Sequence, residues 1–409
     1  MRGKKIVLLT LQHFSNAPRA QKESAALAKA GAKVTVLGSW WDAVRADEDL
    51  ALAASLNVHY IPLLDLRPNA SGSTIPRIIG KIARILFRRF GIVLPEAFGL
   101  TARRMLKKVR QLNPDLVMVH CEPGLWAGCR LLDEGFRVGV DFEDWFSEDL
   151  LPEARLNRPV KAIAKAEKIL LNRGSVKFAT TEAMAKALRE WSGIERAPLA
   201  IPNCFAWSGR AGALGRTRDS RSEEVSFYWC SQTVGPGRGL EDLGKALLKV
   251  SGNWKLCLRG ILRAPPGWFE TVFLESIRDR VEVLSPVTNV ELLGRHMSHD
   301  IGLAVEIPFC GNKNVTASNK IFDYLRAGLA VIATDTQGQR EVMEGCPTAG
   351  WLVPASDVGA MTKALQEAVN DSEGLVRRKQ AALAAAEDRW AWESYESALV
   401  NAVSSALGQ

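Results

Sequence analysis

At 409 residues the chain has room for two or three domains, each with its own core, and a composition of 47% hydrophobic and 24% charged residues is that of an ordinary globular protein. A net charge of +8 favours partners of negative charge, anionic lipid and sugar nucleotides among them, but the familiar nucleic-acid signatures are missing, so no nucleic-acid partner is expected. Seven scattered cysteines without a C-x-x-C suggest neither a zinc site nor a disulfide framework and fit a reducing cytoplasm, while the short apolar run in MRGKKIVLLT lacks a cleavage site and reads as a first strand.

Residues 4–10 are expected to form that strand. A loop over residues 11–18 follows, carrying His13, Ser15 and Asn16, then a helix to Ala30 that Gly31 ends, then a strand over residues 33–37. The first turn lacks G-x-G-x-x-G, which argues against a dinucleotide dehydrogenase. Residues 73–90 are unusual. Arg77, Lys81, Arg84 and Arg88 repeat at i, i+4, i+7 and i+11, one stripe of a helix, and Ile78, Ile79, Ile82, Ile85, Leu86 and Phe90 cover another side. Such a helix either lies on an anionic membrane surface or presents a solvated basic face.

Residues 115–120 (DLVMVH) read as a strand that delivers His120, Cys121 and Glu122 at its C-terminal end. Open α/β sheets place ligands there, which makes His120 a candidate site residue; a core histidine bonded to backbone is the alternative. Residues 138–149 repeat the pattern with a dense acidic loop that includes Asp141, Glu143 and Asp144. Those carboxylates suit hydrogen bonding to ligand hydroxyl groups, although an acidic helix start would look the same, and their spacing is no recognised metal motif. Helices over residues 158–172 and 182–191 flank a strand at residues 176–179. The polar stretch 208–224 reads as a flexible surface segment.

Residues 225–230 start a second sheet. Residues 231–242 (SQTVGPGRGLED) set three glycines and a proline before a helix at residues 240–250. Backbone N–H groups at such a helix start, with Arg238, can cradle a diphosphate. Strands at residues 254–259, 281–284 and 300–305 alternate with helices, which implies a parallel sheet. His296 and His299 form a pair without a clear third ligand and are read as structural. Residues 317–341, ASNKIFDYLRAGLAVIATDTQGQRE, carry the densest pattern. Ser318 and Asn319 read as helix caps, Ile321, Phe322 and Leu325 share a buried face, and Gly328 ends the helix. A buried strand follows over residues 329–333, then a polar loop, Gly338 and a helix that carries Glu341.

The run S-N-K-I-F-D-Y-L-x-A-G-x-x-V-I-A-T starting at Ser318, followed by G-Q-x-E ending at Glu341, resembles the nucleotide-sugar site of the glycosyl transferases group 1 family. These are retaining glycosyltransferases of the GT-B fold. The resemblance implies an α/β protein of two Rossmann-like domains, with parallel sheets facing across a cleft. By that pattern residues 1–203 are the acceptor-side domain and residues 204–224 a flexible boundary. Residues 225–388 then bind the nucleotide sugar, and residues 389–409 are a helix that crosses back, with Trp390, Trp392 and Tyr395 suited to docking it. The implied activity moves a sugar from a nucleotide-diphosphate sugar to a glycan or lipid-linked acceptor in bacterial surface polysaccharide or glycoconjugate synthesis. The protein would then be cytoplasmic and peripheral at the inner face of the membrane, touching anionic lipid through residues 73–90.

Carried over residue by residue, the resemblance assigns catalytic roles to His120, Arg238 and Lys320. Donor binding falls to Gly237, Gly239, Ser318, Asn319, Asp323, Gly338 and Glu341. The acceptor side takes His13, Glu122, Asp141, Glu143 and Asp144. Neither a metal nor a cofactor is expected, the nucleotide sugar being a co-substrate. The pattern is incomplete. Arg238-Gly239 matches the family's Lys-Gly, but Gln232-Thr233 stands where Gly-Arg is usual, and Val315 holds the place of the first glutamate, eight positions before Asp323. Glu143 likewise occupies a position where histidine is usual. Two other readings therefore stay open, a non-catalytic membrane-associated accessory protein and a nucleotide-sugar epimerase on the same fold.

Overall fold

A computed structural model describes residues 1–68, 70, 74–210 and 224–408. Most of the polar segment expected at residues 204–224 lies outside these described residues, as does residue 73. The chain divides into two compact units, Met1–Ile201 with Tyr395–Gln409, and Pro202–Ser394.

The first unit is built on seven parallel strands: β1 (Lys5–Leu9), β2 (Lys33–Trp40), β3 (His59–Asp65), β4 (Leu116–Val119), β5 (Val138–Phe142), β6 (Lys177–Ala179) and β7 (Leu199–Ala200). Their order is β3-β2-β1-β4-β5-β6-β7. Ile6 pairs with Val34 on one side and with Leu116 on the other. β4 and β5 are buried on both faces, in keeping with the apolar run LVMV and with VGVDF, whose one charged residue, Asp141, is paired with Arg19. Strand order reverses at β1 and β4, so the loops that leave these two strands part and open a crevice. Pro18 starts the helix Pro18–Lys29 after β1 at the position where its missing N–H costs nothing. The basic stripe forms the helix Thr74–Phe90, which fully buries only Pro76, Gly80 and Ala83.

The second unit has six parallel strands: β8 (Val225–Val234), β9 (Trp254–Leu262), β10 (Val281–Leu284), β11 (Ile301–Ala304), β12 (Ala330–Asp335) and β13 (Gly350–Pro354), in the order β10-β9-β8-β11-β12-β13. Ile301 pairs with Phe227 and with Ala330. Phe227, Trp229, Leu256, Leu258, Leu303 and Ile332 form the centre of its core. Here the order reverses between β8 and β11. The glycine loop leaves β8, and the segment that leads to the 317–341 stretch leaves β11, so both polar stretches lie at the reversal. Trp390, expected to dock the C-terminal segment on the first domain, packs instead on Phe322 of the second unit, with ring centroids 5.7 Å apart. His296 and His299 belong to the core of this unit. His299 stacks on Tyr228 and meets Ser226 Oγ at 2.8 Å, and burial pushes the His296 pKa down to about 3.

Candidate active site

In the second unit the end of β8, the glycine loop and the helix Leu240–Leu247 set the position of Arg238. Gly237 and Gly239 adopt left-handed φ of +74° and +79°, a conformation that costs glycine little. A side chain at Gly239 would also press on Val305, 3.2 Å away, so the two loops at the reversal touch through that glycine. Arg238 reaches back to donate from Nη1 to Ser231 Oγ at 2.9 Å. Glu241 Oε1 accepts from the Gly237 N–H at 3.1 Å and from Trp268 Nε1 at 3.2 Å, which fixes the loop from the helix side.

Lys320 lies in the first turn of the helix Asn319–Ala327. Its ammonium pairs with Glu306, donates to Ser318 Oγ at 3.2 Å and stands 5.5 Å over the Trp229 ring. Burial would raise the Glu306 pKa, but the Lys320 charge outweighs it and holds the carboxyl below its ordinary value. Glu306 follows the end of β11 and was not among the expected site residues. Its position one loop before the densest motif was the only available signal, because contact with Lys320 spans 14 positions in sequence.

Ser318 does occupy the N-cap position, but its hydroxyl serves Lys320 rather than the helix backbone. Asn319, the other expected cap, is the first helical residue and accepts from Asn203 Nδ2 at 3.0 Å. Asp323 is buried beside Arg326, whose Nη2 lies 3.2 Å away. Gly338 is buried where the helix Gln337–Glu344 crosses the loop before Ser318. A Cβ there would come within 2.3 Å of the Thr316 carbonyl carbon. Glu341 is half-buried on the same helix. Gly239, Asp242, Val305, Glu306, Thr334 and Ser356 line a shallow indentation at this end of the sheet.

In the first unit the corresponding crevice holds a buried charge cluster. Arg19 grips Asp141 with two donors, Nε at 2.6 Å and Nη2 at 3.0 Å, and its Nη1 donates to the Ile201 carbonyl. His120 lies between carboxylates, Nε2 3.1 Å from Glu23 and Nδ1 2.9 Å from Glu143. Burial alone would lower the His120 pKa, but the charge of Glu23 and the neighbouring Glu143 and Asp141 raise it well above the ordinary value. Burial raises that of Glu23. The side chain of His120 is 1% exposed and that of Glu143 is 26% exposed, so Glu143 is the outer member of the pair. Glu23, His120 and Asp141 bring ligand atoms within 4.8 Å of one another, a spacing that a metal ion can bridge. Arg19 already engages both oxygens of Asp141, so the guanidinium provides the positive charge there.

His13 is buried in the loop after β1. Nδ1 lies 2.7 Å from Asp49, and Nε2 accepts from the backbone N–H groups of Trp41 and Asp42 at 2.8 and 3.0 Å. Both ring nitrogens are thus engaged in holding that loop to the next one. Glu122 pairs with Arg158, and Asp144 is half-buried in the loop after β5.

Residues 17–204 match the family described as Glycosyl transferase 4-like domain, and residues 228–371 match the family described as Glycosyl transferases group 1. The chain belongs to the glycosyl transferases group 1 family. No curated protein matches it significantly in sequence. Among solved structures, this group 1 glycosyltransferase is similar to sucrose-phosphate synthase from Thermosynechococcus elongatus, at 16% identity and a TM-score of 0.69, over 99% of each chain. Anabaena HepE in complex with UDP-glucose gives 15% identity and a TM-score of 0.67, over 98% of this chain and 100% of that one. Trehalose 6-phosphate synthase from Burkholderia multivorans gives 13% and 0.63, over 99% of each. At such identities the likeness speaks for the fold alone, which is GT-B with two Rossmann-like domains of seven and six strands. Within that fold, Val315, expected at the first-glutamate position, carries no carboxylate, and Glu306 is the carboxylate that stands beside Lys320.

Proposed function

We propose that this glycosyltransferase moves a sugar from a nucleotide-diphosphate sugar to a hydroxyl group of a glycan or lipid-linked acceptor, with retention of anomeric configuration, in the synthesis of a bacterial surface polysaccharide or glycoconjugate. The observation that carries the reading is that Arg238, on the glycine loop after β8, and the Lys320–Glu306–Ser318 knot after β11 belong to the two segments that leave the second sheet where its order reverses. As the glycosidic bond breaks, the diphosphate gains negative charge. Arg238 meets it with a planar pair of donors, and Lys320 adds a second cation whose position Glu306 sets. Asp323 and Glu341 take ribose and sugar hydroxyls or order the loops that do. Fixed cations then perform the task that a metal would otherwise perform. The leaving phosphate assists deprotonation of the acceptor, so no protein general base is assigned. HepE, a neighbour in fold, was solved with UDP-glucose, which supports the same donor class.

On the acceptor side His120 is a positioning residue. It is too deeply buried to touch a sugar itself, and it orients the half-buried carboxylate of Glu143. Donor hydrolysis followed by proton NMR tests the proposal. An α-linked donor should release the α-sugar first, and Arg238→Ala should slow release about 100-fold or more, as loss of one preorganised donor does. Accumulation of an epimerised nucleotide sugar would favour the epimerase reading. No turnover of any donor would favour the accessory-protein reading.

A further inference from the structure

The helix Thr74–Phe90 faces the opposite way from an ordinary domain helix. Its fully buried residues are small, Pro76, Gly80 and Ala83, with Leu86 and Phe87 half-buried further along. A Cβ at Gly80 would lie 2.3 Å from Leu100 Cδ2, so the close approach of this face fixes how the helix is rotated. The isoleucines are thereby committed outward. Ile75, Ile78, Ile79, Ile82 and Ile85 are between 40% and 67% exposed, and the strip runs on through Phe90, Ile92 and Val93. A contiguous apolar strip of this size marks an interaction surface.

The charge beside it is of one sign. The helix holds five cations and no acid, and all five are exposed. At about 100° per residue, Arg77, Lys81, Arg84 and Arg88 line one border of the isoleucine strip, and Arg89 stands near its C-terminal end. Arg77 also donates to the Leu66 carbonyl at 2.8 Å, which ties the row to the body of the unit. No helix is long and apolar enough among the described residues to cross a membrane.

We propose that this helix docks the protein flat on a bilayer surface that contains anionic lipid. The isoleucines enter the acyl boundary, and the cation row meets the headgroup phosphates. A protein partner would need a matched acidic face and an interface core of defined shape. A strip of isoleucines bordered by like charges asks only for a fluid apolar layer under an anionic one. The inference concerns the first unit alone and stands apart from the donor chemistry.

Flotation of the full chain with phosphatidylcholine vesicles, with and without phosphatidylglycerol, tests it at low and high salt. The wild type should float with the anionic vesicles at low salt and be released by high salt. Arg84→Gln with Arg88→Gln should weaken that binding about fivefold for each cation removed, and Ile78→Glu with Ile82→Glu should abolish it. These positions are exposed, so circular dichroism and nucleotide-induced stabilisation should be unchanged in both double variants. Failure of the wild type to bind anionic vesicles at low salt would overturn the proposal, whatever the variants do. So would equal binding by the glutamate variant, or a wild-type dimer in sedimentation that the glutamate variant splits without any vesicle binding.

Discussion

Buried carboxyl groups give the first unit a pH dependence that can be assigned to single residues. Glu167 is fully buried, and its Oε1 accepts from the Ser147 N–H at 3.2 Å. Burial pushes its pKa up to about 7. Between its ordinary value of 4.5 and about 7, the native state holds a proton that the unfolded chain has released. The sign follows: stability is greatest below that window and falls as pH rises through it. Glu167→Gln keeps the oxygen that accepts from Ser147 and removes the charge. It should match the wild type near the acid end of the window and be more stable at pH 8, by up to about 3 kcal/mol; chemical denaturation at the two pH values checks this. At the His120–Glu143 pair the expectation is kinetic. His120→Gln and Glu143→Gln should each lower kcat, by about 10- to 100-fold, with little change in donor KM. The double variant should lose no more than the worse single, because residues that act as a unit are not additive. Additive losses would mean that His120 does not act through Glu143.

At the scale of elements, one glycine and one helix cap decide how the donor site is assembled. Gly338 lets the helix Gln337–Glu344 cross against the Thr316 backbone, and Thr336 caps that helix by accepting from the Gln339 N–H. Gly338→Ala has no flexible neighbour to displace, only main chain. It should cost about 1–3 kcal/mol and weaken nucleotide binding by shifting the loop before Ser318, whereas Thr336→Ala should cost only about 1 kcal/mol; thermal unfolding and nucleotide titration of the two variants separate these effects. The strands and these helices were legible in sequence because buried parallel strands are unbroken apolar runs and because Gly328 ends the helix Asn319–Ala327, whereas Gly338, expected before the next helix, is its second residue. The helix Ala43–Ser55 and strand β3 were not identified. β3 (HYIPLLD) is half-exposed and carries a proline, so it lacks the unbroken apolar run that marks the inner strands. The inward face of Thr74–Phe90 was also hidden. Periodicity marked a basic and an apolar side but not that the small residues, rather than the isoleucines, would pack.

For the whole molecule, the alternation of strands and helices implied two parallel sheets, and both are present with reversals at β1/β4 and β8/β11. The local motif at residues 317–341 was legible because cap, charge, carboxylate and glycine lie within one short stretch. The Arg19–Asp141 and His120–Glu23 contacts were not, since their partners are 122 and 97 positions apart and no local pattern links them. The same holds for Glu306 beside Lys320. Function in a chain like this rests on contacts that only the closed sheet order brings together, while the fold rests on patterns that are local.

The central claim is that the second unit binds a nucleotide-diphosphate sugar through Arg238 and the glycine loop. Thermal unfolding of the full chain with a panel of nucleoside diphosphates and their sugars, beside Arg238→Ala, tests it most directly. A ligand that binds only the folded state stabilises it by about 2.7 kcal/mol at 100 times its Kd. One base should raise the wild-type Tm in a concentration-dependent way and leave Arg238→Ala unmoved. No shift with any nucleotide, or the same shift in both proteins, would contradict the account.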